Sequence, residues 1–91
     1  YVNELVASLA RTTDDVGVVL KAIGTLRNGV WREEAFLIAG RQFASRNFEE
    51  NVKKWIVGNR MPALEQISLT YGMAQVMIDR ISAAAVAAPE K

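Results

Sequence analysis

The chain contains no cysteine and no histidine. Without cysteine there is no disulfide framework and no thiolate metal site, and the absence fits a reducing compartment, so a cytoplasmic location is expected. Without histidine, the commonest general base, the commonest neutral metal ligand and the usual pH switch are all missing. Aromatic residues are only 8% of the total, so the apolar character rests on Ala, Val, Ile and Leu. No apolar run approaches the roughly 18 residues of a membrane span. The first thirty residues also lack the basic-then-apolar order of a secretory signal. No membrane partner is expected.

What is present is helical patterning. Half of the 91 residues are apolar, enough for one small globular domain with a modest core. The apolar residues recur at heptad spacing over two long stretches, and no strand-like alternation and no internal repeat accompanies them. The predicted fold is all-α, a small bundle of four or five helices with short loops. It is expected to form a single domain over residues 1–88, with a frayed tail at 89–91.

In the first third, Val2, Leu9, Val16, Ile23 and Val30 fall seven apart, with Leu5, Val19 and Leu26 in the second row. This phase predicts one long amphipathic N-terminal helix, with a break near Thr12–Asp15 as the competing reading. A second helix is predicted over about 31–46. There Ala35, Phe36, Ala39, Gly40, Phe43 and Ala44 cover more than one face and call for burial on several sides. Asn47, with Glu50 three residues on, resembles the start of a short helix ending at Gly58-Asn59. Pro62 suits the start of the last helix. Its heptad runs through Leu64, Ile67, Tyr71, Ala74, Ile78, Ile81, Ala85 and Ala88 and is the expected core stripe, with Tyr71 buried.

The segment 63–81 carries two functional readings. As one helix it has a second apolar face, Leu69, Met73 and Val76, nearly opposite the heptad stripe. A helix with two apolar sides is central or covers a partner. Those three residues are therefore the expected partner-binding set of a non-enzymatic interaction module. Such a module self-associates or docks a protein partner. Gly72 costs roughly 1 kcal/mol in a helix interior, which close approach of another backbone offsets.

The alternative is a helix-turn-helix DNA-binding regulator, with the turn at Gly72 and a reading helix carrying Gln75 and Arg80. Lys53, Lys54 and Arg60, with Arg41 and Arg46, would then supply phosphate contacts. Charge argues against nucleic acid as the partner. The excess of basic residues lies in 31–61, whereas 62–91 holds Arg80 and Lys91 against Glu65, Asp79 and Glu90.

No catalytic set emerges. Asp14-Asp15 and Glu33-Glu34 are adjacent, and neighbours on a helix point about 100° apart, a poor arrangement for a metal clamp or an acid/base pair. "GTLRNG" has glycines but follows no strand, so it is not a phosphate loop. Trp31 and Trp55 at helical spacing are expected in the core. No catalytic residue, cofactor, metal or small-molecule substrate is expected.

Overall fold

The structure, a computed structural model, describes residues 2–87. It is an all-α bundle of five helices: α1 (Val2–Thr12), α2 (Val16–Gly24), α3 (Gly29–Ser45), α4 (Glu49–Asn59) and α5 (Ala63–Ala87). The tail expected at 89–91 and the last heptad position, Ala88, lie outside the described residues.

The single N-terminal helix gives way to two. Asp15 adopts an extended backbone and accepts a hydrogen bond from the Gly17 amide at 2.9 Å, which caps α2. The break then leaves carbonyls free at the end of α1. Arg46 fills that need, donating from Nη1 to the Ala10 and Thr13 carbonyls, both at 2.8 Å. The apolar phase continues across the break, yet Leu5 and Leu9 of α1 are exposed while Val6 and Ala10 are buried.

α3 is the centre of the bundle. All six residues expected to be buried on it are buried, because α1 and α2 pack on one part of its surface and α5 on another. Asn28 caps its start by accepting from the Trp31 amide at 3.1 Å. Its end corrects the reading of Asn47, which terminates α3 rather than capping α4. Asn47 takes a left-handed conformation (φ 63°), which asparagine tolerates better than most residues. The Asn47 amide donates to the Ala44 carbonyl and the Phe48 amide to the Phe43 carbonyl, the two bonds of a Schellman ending. Its hydrophobic contact is the Phe43–Phe48 ring pair, with centroids 6.4 Å apart. α4 ends on Arg60, also left-handed (φ 47°).

The first, third and fifth helices run in the same direction. Asn3 of α1 bonds Glu34 near the start of α3, and Arg46 at the end of α3 reaches the end of α1. Likewise Arg32 pairs with Glu65 at the start of α5, and Arg80 reaches Ala44 at the end of α3. These contacts have a period. Ala10 and Ala44, Arg46 and Arg80, and the helix-start residues Asn28 and Pro62 each stand 34 positions apart. The arrangement is thus a stack of helix pairs, α1–α2 and α3–α4, with α5 standing where a third pair would begin. Residue identity follows the period at few positions, and the geometry corrects the sequence reading of no internal repeat.

Candidate functional site: the free face of α5

α5 is one unbroken helix from Ala63 to Ala87. The turn that the helix-turn-helix alternative requires at Gly72 is absent. The reason is the packing of Gly72, which is buried against α3. A Cβ there would collide with the Leu37 carbonyl oxygen, and a Cβ on Gly40 would collide with the Leu69 carbonyl oxygen. The two glycines let the backbones of α3 and α5 approach closely, and the helix gains through that contact what Gly72 loses in propensity. The close approach anticipated at Gly72 is real, and it occurs within the chain.

This contact decides which side of α5 faces inward. Leu69 is 0% exposed and Met73 5%, and Val76 packs partly buried against the same cluster. The expected partner-binding set of Leu69, Met73 and Val76 is therefore corrected: these residues are core, turned onto α3 by the glycine pair. The stripe expected in the core is the outer one. Tyr71 is 56% exposed and Ile78 60%, and Leu64, Ile67 and Ile81 are also more than half exposed. With half-buried Ala74 and exposed Ala85, they form an apolar seam whose spacing alternates three and four from 64 to 85. A shallow hollow between Ala63, Gln66, Ile67, Thr70, Tyr71 and Ala74 lies along it.

The flanks of the seam carry no charge, being Ser68, Gln75 and Ser82 on one side and Thr70 and Met77 on the other. Gln75 is half-buried, and its Oε1 is buried without a hydrogen-bond partner. It borders a small groove with Arg41, Ile78 and Asp79.

The basic residues of the DNA-reading alternative do not converge. Arg80 bonds the Ala44 carbonyl through Nη2 and pairs with Glu49 through Nη1 at 3.2 Å. Arg46 is held by the end of α1 and by Asp14 at 2.6 Å, with its guanidinium 4.6 Å from the Phe48 ring centre. Both act as clasps on helix ends, donating to carbonyls that a helix leaves unpaired. Lys53 pairs with Glu50 at 3.4 Å, whereas Lys54 borders a separate hollow with Asp14, Asp15 and Trp55. Arg60 is exposed at the end of α4. Of the two tryptophans, Trp55 packs partly buried on the core, while Trp31 is exposed, contrary to expectation.

Among the described residues no group of three or more acidic residues is placed to hold a metal ion, and no helix is long and apolar enough to cross a membrane. The chain matches none of the protein-family models, curated proteins or solved structures with which it was compared.

Proposed function

We propose that this protein is a non-enzymatic interaction module of a reducing compartment, and that its working surface is the free face of α5, on which another helix docks. The observation that carries the proposal is the exposed seam of Leu64, Ile67, Tyr71, Ala74, Ile78, Ile81 and Ala85 on a helix whose opposite side is already buried. Seven positions at alternating three- and four-residue spacing match the side-chain pattern by which one helix receives the knobs of another. Large apolar residues exposed singly are ordinary, but a contiguous row of them on one rigid helix marks an interaction site.

The 34-residue correspondence supports the same surface. The α3 residues lying against α5 include Leu37, Gly40, Arg41 and Ala44. One period later stand Tyr71, Ala74, Gln75 and Ile78, which lie on the outer side of α5. The free face of α5 is thus the counterpart of a face that already holds a helix.

The test is a pair of charge substitutions on opposite sides of α5. Ile78→Glu is expected to leave helicity by circular dichroism unchanged and unfolding cooperative. Met73→Glu places a charge in the core and is expected to unfold the chain. Unfolding by Ile78→Glu would show that the outer face is structural and would refute the proposal.

A further inference from the structure

The geometry points to a second copy of this chain as the occupant of the α5 face, its α5 running antiparallel across a two-fold axis at the level of Ala74 and Ile78. This rests on the reading of that face as a docking surface. Side-chain size along the seam sets the direction. In a parallel pair Tyr71 would meet Tyr71, Ala74 would meet Ala74 and Ala85 would meet Ala85. Such a seam is overfilled at one level and hollow at the next. In the antiparallel register Ala74 meets Ile78, Ile67 meets Ala85 and Tyr71 meets Ile81. No alanine then faces alanine, and the two helix axes can keep a constant separation.

Charge permits the pairing. A two-fold contact places the same patch on both sides, so any charge on it meets its own kind. Ser68, Thr70, Gln75, Met77 and Ser82 bring none to the flanks. Of the nearest ions, Glu65 is engaged with Arg32 at 2.8 Å and Arg80 with Glu49, and exposed Asp79 shares the groove beside Gln75 and Ile78 with the oppositely charged Arg41.

Area is sufficient. Leu64, Ile67, Tyr71, Met77, Ile78 and Ile81 are all exposed. At about 100 Å² each they offer roughly 600 Å² per copy and roughly 1,200 Å² per pair, above the ~1,000 Å² that a specific interface needs.

The competing arrangement of copies is head to tail, with α1 of one copy laid on α5 of the next. The repeat argues against it. The place of Gly72 on α5 is held by Ile38 where α3 packs on α1, and two periods before Gly72 stands Glu4, exposed on α1. A glutamate there would carry a charge into the contact. The two-fold contact closes at a dimer, whereas the head-to-tail one would propagate into a fibre.

The natural lack of cysteine makes the test direct. Ile67→Cys and Ala85→Cys are prepared separately in the full chain, then treated with a short bismaleimide alone and as an equimolar mixture. The expected result is a cross-linked dimer from the mixture and little from either variant alone, since equivalent positions would lie roughly 27 Å apart along the helices. Sedimentation equilibrium of the natural chain is expected to show a dimer, weakened at least about tenfold by Ile78→Glu.

Cross-linking of each variant with itself, without gain in the mixture, would overturn the antiparallel pairing. A natural chain that stays monomeric at every attainable concentration would overturn the second copy as occupant, and with Ile78→Glu folded the docking surface itself would stand. Unfolding of Ile78→Glu would refute the docking surface and this inference together.

Discussion

At Gly72 two opposing effects are resolved by magnitude. Alanine is favoured over glycine by about 1 kcal/mol within a helix. Here, however, the added methyl would meet the backbone of α3, since Leu37 O, Leu37 C and Arg41 N lie around the ideal Cβ position. Backbone cannot swing aside as a side chain can, and overpacking typically destabilises by about 1–3 kcal/mol. Gly72→Ala is therefore expected to lower stability in a denaturant titration. Gly58, in α4, has nothing within 4 Å of such a methyl, so Gly58→Ala is expected to raise stability by about 0.5–1 kcal/mol. If Gly72→Ala instead raised stability as Gly58→Ala is expected to, the close contact of α3 and α5 would be excluded. Gly72 also shows where the sequence was legible. A glycine in the middle of an apolar helix signals close approach, and Gly40 carries the same signal on the helix it meets. The heptad stripe drew the core assignment because its spacing is regular. The glycine pair decides which face turns inward.

At the scale of helices, the ends are held by arginines acting mainly as hydrogen-bond donors. Arg46 makes two bonds to carbonyls at the end of α1 and one to Asp14. The Asp14 side chain is 87% exposed, so water screens that ion pair to a small contribution. The carbonyl bonds come from a charged donor that is partly buried, a type that contributes about 1.5–3 kcal/mol. Arg46→Ala is expected to destabilise by that order and Asp14→Asn by less than about 0.5 kcal/mol, measured as shifts of the denaturant midpoint at constant slope. Arg46→Lys is expected to restore little, because a lysine ammonium cannot span the two carbonyls while lying flat on the Phe48 ring.

Helix existence and burial were legible wherever one pattern dominated, as in α3, where the six apolar and small residues cover several faces. The break after Thr12 was legible only as the competing reading, because the heptad phase runs through it and the clasp that stabilises it comes from Arg46, over thirty residues away. The 34-residue period was hidden for a related reason. It rests on backbone carbonyls and helix starts, and at most equivalent positions the residue types differ, as at Val6 and Gly40.

At the scale of the whole molecule, the chain has an elongated outline, 53 × 29 × 23 Å with a radius of gyration of 14.0 Å. A compact domain of this length has a radius near 12 Å. The excess reflects α5, which at 25 residues extends well past the 17-residue α3 on which it lies. The seam therefore continues onto an exposed part of α5 beyond the end of α3, and the proposed dimer would pair these overhanging ends with the larger residues of the other copy. Folding and pairing would then be coupled, and the melting midpoint would depend on protein concentration. For a two-state dimer of this size it is expected to rise by about 3–5 °C for each tenfold increase. The Ile78→Glu variant, folded but unpaired, is expected to melt at one temperature at all concentrations. Calorimetry at three or more concentrations of both proteins measures the difference. A midpoint that is concentration-independent in the natural chain would mean that no dimer dissociates as the chain unfolds. Pairing would then contribute nothing to the stability of the fold.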